Sequence, residues 1–268
     1  MALPPDIDLL RAGVREINLM GKEAWRAHVE AGWDPRLKTA LRVSESQLAQ
    51  FARYRDLLLE WNQRINLTAI TDPQEVLIKH FLDSLTFFPS IPGRFKISGT
   101  LSLLDVGSGA GFPGLPLQII SPTWQITLLE ATGKKVRFLE AVIADLGLIQ
   151  ARAIQGRAED LAHDPQHRAA YDVVTARALA PLPTLVEYCL PFCKPGGLVI
   201  AAKKGDISAE LEQSKAAATT LGARWAYFNP FSLPGLEDER SLVVYQQKQL
   251  APTKYPRRAG MPVKKPLG

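Results

Sequence analysis

The sequence is poor in cysteine: Cys189 and Cys193 are the only two among 268 residues. A chain this long gains little from one short cross-link, so a disulfide scaffold is excluded and a reducing compartment is expected. The pair does not form a C-x-x-C motif, which excludes a zinc knuckle, and no metal is expected. Clean membrane-spanning runs are missing too. The uncharged stretch from Val106 to Leu129 has the length, but Gly107, Gly109, Gly111, Gly114, Pro113, Pro116 and Pro122 interrupt it. The N-terminus lacks a basic region followed by an apolar run, so the expectation is a cytoplasmic protein without a leader. Repeats and long low-complexity tracts are absent. Hydrophobic residues at 46% and charged residues at 22% exclude a disordered chain and suit one large globular domain with appended pieces.

Acidic residues are absent from one end. From Ser241 onward there are six basic side chains and no acidic one, whereas residues 1–240 hold 26 basic and 27 acidic. The net charge of +5 therefore lives in the tail. A flexible, basic, proline-rich arm on a neutral body points to a polyanion, nucleic acid first, with a solubilising end as the plain alternative.

Residues 1–40 show no clear period and read as a weakly helical extension. Ser44-x-x-Gln47 is a capping box, followed by Leu48, Phe51, Tyr54, Leu58, Trp61 and Ile65 at helical spacing. Asp72-Pro73-x-Glu75 opens a second helix that is expected to stop before Pro89. The boundaries drawn are an extension over 1–43, a helical cap over 44–98, a main domain over 99–248 and a basic tail over 249–268. In the main domain, strands are expected near 101–106, 125–130, 151–155, 171–176, 197–202, 224–229 and 241–247. Helices are expected near 113–120, 133–147, 182–193 and 207–221. Apolar strands alternating with helices imply an α/β fold with a parallel sheet covered on both faces. The Pro/Gly loop from Pro230 to Arg240 joins the last two strands without a helix, so that pair should be antiparallel.

The chemistry concentrates in Leu103-Leu104-Asp105-Val106-Gly107-Ser108-Gly109-Ala110-Gly111-Phe112. A buried strand feeds a glycine turn at the carboxyl end of the sheet, where open α/β sheets bind ligands. The dinucleotide fingerprint is G-x-G-x-x-G. Here the third glycine falls one residue early, and bulky Phe112 would obstruct a pyrophosphate. G-x-G-x-G suits S-adenosylmethionine, with Gly107, Gly109 and Gly111 approached by its amino acid end and Glu130 accepting the ribose hydroxyls. Ala158 and Glu159 could read the adenine edge, although an acidic pair at a helix start is nearly as good a reading. The fourth strand ends in Thr175-Ala176-Arg177-Ala178, without the Asn/Asp-Pro-Pro-aromatic motif of adenine amino methylation. Cys189 and Cys193, four apart on one expected helix, read as buried structural thiols rather than nucleophiles. What remains is an acceptor with a free lone pair, such as guanine N7, served by positioning and electrostatics without a general base. An NAD-dependent dehydrogenase fits the fold but not the glycine spacing. A non-catalytic RNA-binding module explains the tail but leaves the glycine loop idle.

The ordered set of Trp61-Asn62-x-x-Ile65-Asn66-Leu67-Thr68, His80-Phe81-Leu82-Asp83-Ser84, the glycine loop through Gly114, Thr132-Gly133-Lys134-Lys135, Arg157-Ala158-Glu159, Thr175-Ala176-Arg177-Ala178 and Tyr255-Pro256-Arg257-Arg258-Ala259-Gly260 resembles the bacterial ribosomal RNA small subunit methyltransferase G family. The resemblance runs from about residue 44 to the end. It implies a Rossmann-like, seven-stranded class I methyltransferase fold with an N-terminal helical cap. It also implies transfer of a methyl group from S-adenosylmethionine to N7 of a guanine in the 530 loop of 16S rRNA. The partner is that rRNA or a small-subunit intermediate, met by a monomer. Its cofactor contacts carry over to Gly107, Phe112, Glu130, Ala131, Thr132, Ala158, Glu159 and Arg177, with Arg177 also a candidate positioning residue. RNA-contact candidates are Lys79, Lys134, Lys135, Lys203, Lys204, Lys254, Arg257, Arg258, Lys264 and Lys265. Lys79 departs from the family's usual arginine, which keeps the charge and loses the bidentate fork. No residue is expected to act as acid or base, and His80 is expected to order the cap through Asp83.

Overall fold

The computed structural model describes residues 3–30, 40–93, 100–233, 235–236 and 238–268, without the side chains of 5 and 20–30. Strands β1 (Ser102–Val106), β2 (Gln125–Glu130), β3 (Ala151–Gln155), β4 (Tyr171–Arg177), β5 (Cys193–Lys204), β6 (Ala223–Phe231) and β7 (Arg240–Gln247) form one sheet. Its order is β3-β2-β1-β4-β5-β7-β6. The first five strands run parallel, and β7 lies antiparallel between β5 and β6. The expected hairpin is present, because a loop without a helix cannot return the chain for a parallel pairing. Leu103 and Leu104 of β1, like Val173 and Val174 of β4, are fully buried on opposite faces. That two-sided burial is why these strands read as continuous apolar runs. Because β2 and β4 flank β1, the strand order reverses beside it and opens a crevice at the carboxyl ends. This is the class I methyltransferase architecture.

The helices α6 (Gly114–Ile120), α7 (Gly133–Asp145), α8 (Ala158–Leu161), α9 (Leu182–Cys189) and α10 (Ser208–Thr220) connect the strands. The expected helix over 182–193 is too long. Pro191 lacks the N–H that another turn needs, so α9 gives way to a 3-10 turn at Leu190–Phe192, and Cys193 opens β5. The two cysteines therefore do not share a helix. Both are buried, and burial pushes their thiols well above the usual range, which suits inert packing residues.

The N-terminal segment is more regular than the sequence suggests. Helix α1 (Asp8–Glu30) begins after Ile7, and Ile7, Leu10, Val14 and Ile17 are buried at helical spacing. That stripe is one residue wide and diluted by charged neighbours, so no period stands out. The Asn18 side chain pairs with both backbone groups of Leu41, at 2.9 and 2.8 Å. Helix α2 (Glu45–Asn62) starts at the expected capping box. The second cap helix also starts at its expected cap, with Glu75 N–H donating to Asp72 at 2.9 Å. It then departs from regularity: α3 (Pro73–Val76) is followed by a π-helical segment Leu77–Leu82, by α4 (Asp83–Leu85) and by α5 (Phe87–Ser90). Pro89 does not end it, because Pro89 falls in the first turn of α5, where no helical N–H bond is required.

One core joins cap and sheet. Phe51, Tyr54, Phe81 and Phe87 pack with Leu103, Leu117, Leu128 and Phe138 of the main domain. The cap is thus fastened over one face of the sheet, and the boundary drawn at 98 lies outside the described residues.

Candidate active site

The glycine loop is a tight turn in which all three glycines have positive φ: +70° at Gly107, +59° at Gly109 and +95° at Gly111. Each therefore uses the conformational freedom that side-chain-bearing residues lack. Their surroundings differ. A Cβ on Gly109 would meet nothing closer than 3.9 Å, so this glycine faces open space at the mouth of the crevice. On Gly107 it would come within 2.6 Å of the Leu179 side chain, and on Gly111 within 2.5 Å of the Tyr54 hydroxyl and of Leu115. Gly111 is thus a packing position against the cap, not a wall of the crevice.

Two carboxylates brace this turn. Asp105 is fully buried in β1 and accepts from Gly114 N–H at 3.1 Å and from the Thr175 hydroxyl at 3.0 Å. Burial raises its pKa to about 6 despite those bonds and that of Ser108. Glu130 ends β2, as expected, and is 7% exposed. One oxygen accepts from Gly109 N–H at 3.0 Å and the other from Thr132 N–H at 2.8 Å. Each carboxylate oxygen has a second lone pair, so Glu130 can tie the loop to the β2 end and still receive a diol. Ala131 and Thr132 are exposed at the same end.

Phe112 does not stand in the crevice as the sequence reading has it. It is buried, stacked on His80 with ring centres 4.6 Å apart and on Tyr54 at 5.6 Å. Tyr54 in turn donates its hydroxyl to the Ala110 carbonyl. The bulk of Phe112 thus fixes the loop to the cap rather than screening out a pyrophosphate. Arg177, at the end of β4, lies over the other part of this cluster, 4.9 Å from the Phe112 ring. Its guanidinium donates to the Asp83 carboxylate at 2.8 Å, the Lys79 carbonyl at 3.1 Å and His80 Nδ1 at 3.2 Å. A guanidinium has no acceptor, so His80 Nδ1 must be unprotonated and Nε2–H donates to the Thr68 hydroxyl at 2.7 Å. Burial first and then Arg177 lower the His80 pKa to about 3. His80 is packed into the cap: its carbonyl accepts from Asp83 N–H, while its ring reaches the Asp83 carboxylate only through Arg177. The π-helical turn exposes the Lys79 carbonyl to Arg177, a distortion with no signature in the sequence.

Arg177, Ala178 and Ala180 also line a cleft of about 980 Å³ between the cap and the ends of β4 and β5. Lys79, Lys203 and Lys204 are brought together there. Each has an acidic neighbour: Glu75 at 2.6 Å, Glu210 at 2.7 Å and Asp238 at 3.2 Å. Lys134 and Lys135 sit apart, in the first turn of α7 beside Thr132. The sequence reading missed Arg240, at the start of β7, which shares the 2%-exposed Asp83 with Arg177 at 3.4 Å. It also gave no role to Asp105, although a lone charge in an apolar strand before a glycine turn is a signal.

Glu159 is buried, and its carboxylate accepts from Gly260 N–H at 3.2 Å, which ties it to the tail and leaves acceptor sites on both oxygens; Ala158 opens α8 beside it. One expectation fails. The tail is not a free arm. Tyr255 and Pro262 are buried, and Arg257 makes a bidentate pair with fully buried Glu187 at 2.9 and 2.6 Å. Arg257 is therefore withdrawn from the RNA-contact set. Lys254, Arg258, Lys264 and Lys265 remain exposed.

Among the described residues no helix is long and apolar enough to cross a membrane, and no group of three or more His, Cys, Asp or Glu could hold a metal ion. The chain is similar to a crystal structure of a cyclase, SpnF, at a TM-score of 0.51 and 16% identity, covering 79% of this chain and 99% of that one; this likeness concerns the fold alone. Ribosomal RNA small subunit methyltransferase G of Dehalococcoides mccartyi is 49% identical over 85% of this chain and 94% of its own length. The protein of the same name from Exiguobacterium sibiricum is 44% identical over 85% and 94%. The family model for rRNA small subunit methyltransferase G matches residues 47–242, and with the site lying inside that span, the chain belongs to the rRNA small subunit methyltransferase G family.

Proposed function

We infer that this protein transfers a methyl group from S-adenosylmethionine to N7 of a guanine in the 530 loop of 16S rRNA. The observation that carries the reading is the junction of two spaces at the end of β4. The open Gly109–Glu130 crevice and the cleft holding Lys79, Lys203 and Lys204 share the Arg177–Ala180 turn. The crevice fits the cofactor: an open glycine face for its amino acid end and a carboxylate at the β2 end for its ribose. When bound, S-adenosylmethionine supplies an electrophilic methyl group on a sulfonium. Gly107, Gly109, Glu130, Ala131, Thr132 and the backbone at Ala158 hold and orient it, while Gly111, Phe112 and Glu159 act by supporting those contacts. Arg177 positions the cap over the crevice.

Guanine N7 carries a lone pair and no proton, so its methylation needs no base. That agrees with His80, whose two ring nitrogens are both engaged and which stays neutral. The lysines of the cleft and the exposed basic residues of the tail neutralise phosphates around the acceptor. One chain supplies every group named, so a monomer suffices, acting in the cytoplasm on naked rRNA or a small-subunit intermediate. The test is nucleoside mass spectrometry of 16S rRNA from a strain lacking the gene. Loss of one 7-methylguanosine from the 530-loop fragment, restored by the gene, is expected; an unchanged fragment overturns the reading.

A further inference from the structure

The C-terminal segment is basic and carries the features of an RNA-binding arm, yet most of its contacts run to a different part of the molecule. It crosses the segment 158–168, which follows β3 and faces the adenine side of the crevice in the proposed cofactor site. Three fastenings hold it to that segment, and two more reach α9, one of them the Thr184 hydroxyl donating to the Pro262 carbonyl at 3.0 Å. Gly260 N–H donates to Glu159. The Pro256 carbonyl meets His163 Nε2 at 2.8 Å. Arg168 donates to the carbonyls of Ala251, Pro252 and Tyr255 at 2.9, 3.0 and 2.9 Å, and with the same guanidinium to Ala162 at 2.9 Å. Arg257 grips Glu187 of α9.

The segment it fastens cannot hold itself. Helix α8 is a single turn whose N-cap, Arg157, makes no side-chain cap bond. One turn of helix is unfavourable in isolation, because nucleation fixes several residues for one bond. Its placement therefore comes from outside, and Glu159, the anchor nearest the crevice, is held by the strap and by the Tyr188 side chain. Arg168 binds both ends of the junction with one planar fork, which makes the strap and the post-β3 segment one unit.

We propose that the C-terminal strap, through Glu159–Gly260, Arg168 and Arg257–Glu187, is a positioning element of the cofactor site: its docking fixes α8 as the adenine-side wall. Strap docking and cofactor binding are then coupled, and the coupling is reciprocal. Removing the strap's grip weakens the cofactor, and the cofactor tightens the strap. The inference rests on the reading of Ala158 as a wall of the cofactor site.

The test uses the full chain and S-adenosylhomocysteine as probe. Arg257→Gln combined with Glu187→Gln removes the ion pair without leaving a buried carboxylate unpaired, and the amide oxygen at 187 still accepts from the backbone N–H of residue 257. Calorimetric titration well below the melting temperature should give about tenfold weaker binding, within the usual range of such couplings. The KM for rRNA measured at saturating cofactor should stay unchanged, a split that general loosening of the fold would not give. In the wild type, S-adenosylhomocysteine should slow tryptic cleavage after Arg257 and Arg258 by a similar factor, and this holds as a test even if the double variant does not fold. Unaltered affinity in a folded variant, or cleavage indifferent to bound ligand, overturns the proposal. A separate variant, Ala158→Trp, distinguishes the premise: if it binds the probe as the wild type does, the adenine wall is misplaced and the site reading fails instead.

Discussion

The three glycines of the loop look equivalent in the sequence and are not equivalent in the molecule. Gly109→Ala should cost about 1–2 kcal/mol of stability, the penalty of a left-handed backbone for a residue with a Cβ, and should weaken S-adenosylhomocysteine binding, because the new methyl enters the crevice. Gly111→Ala adds a clash with Tyr54 and Leu115 and should lose more stability than Gly109→Ala, by overpacking worth about 1–3 kcal/mol. Urea denaturation beside calorimetric titration separates the two; equal stability losses would contradict the assignment. Two buried titratable groups add a pH signature. His80 has a folded pKa of about 3, below its unfolded 6.5, so the unfolded chain binds the proton first. Its contribution is whole above pH 6.5 and is lost as pH falls toward 3. Asp105 has a folded pKa of about 6, above its unfolded 3.8, so its contribution is present below pH 3.8 and lost as pH rises through 6. His80→Asn should remove acid sensitivity between pH 6.5 and 4, and Asp105→Asn should remove a decline of about 2–3 kcal/mol between pH 4 and 6. Melting temperatures across that range decide both. Methyl transfer itself should vary little between pH 6.5 and 8.5, because His80 stays neutral throughout.

At the scale of elements, the cap is attached by a buried charge cluster as well as by its aromatic core. Asp83 pairs with both Arg177 and Arg240, whose only other carboxylate among the described residues is exposed Asp238 at 3.6 Å from Arg240. Asp83→Ala leaves two arginines facing each other and should destabilise by about 3–5 kcal/mol, read by denaturant midpoint, whereas a loss under about 1 kcal/mol would mean the clasp is not a structural element. Glu130→Gln should weaken cofactor binding by about 1.5–3 kcal/mol, and the loop itself should loosen, since Gly109 and Thr132 both donate to that carboxylate. How much of this is legible beforehand depends on the period of the signal. Strand positions, the capping box at Ser44, the Asp72 cap and the glycine turn rest on local rules, so the sequence displays them. The π-helical Leu77–Leu82, the Arg177–Asp83–Arg240 cluster and the inward face of Phe112 depend on residues brought together from 83, 112, 177 and 240, and no local rule reaches that far. The narrow stripe of Ile7, Leu10, Val14 and Ile17 is visible in principle but masked by the charges between them.

For the whole molecule, charge location and charge use differ. The excess positive charge does lie in the tail, yet Arg257 is engaged by Glu187, and the tail is bolted to the body. Replacing Lys254, Arg258, Lys264 and Lys265 by Gln in the full chain should lower the slope of log RNA affinity against log salt by up to about 2.8 in magnitude, at ~0.7 for each phosphate no longer neutralised. S-adenosylhomocysteine affinity should be untouched, because none of these four side chains holds the strap in place. An unchanged slope would assign RNA binding to the cleft lysines and Lys134 and Lys135 alone.

The most direct measurement is a single-turnover methyl transfer with the purified protein, S-adenosylmethionine and small ribosomal subunits from a strain lacking the gene, followed by borohydride and aniline treatment, which cleaves RNA at 7-methylguanosine. The account predicts one new cleavage, in the 530 loop of 16S rRNA, with a single methyl group incorporated per subunit, and none with the Gly109→Val variant. Methyl incorporation without cleavage, or cleavage at a guanine elsewhere, would contradict it.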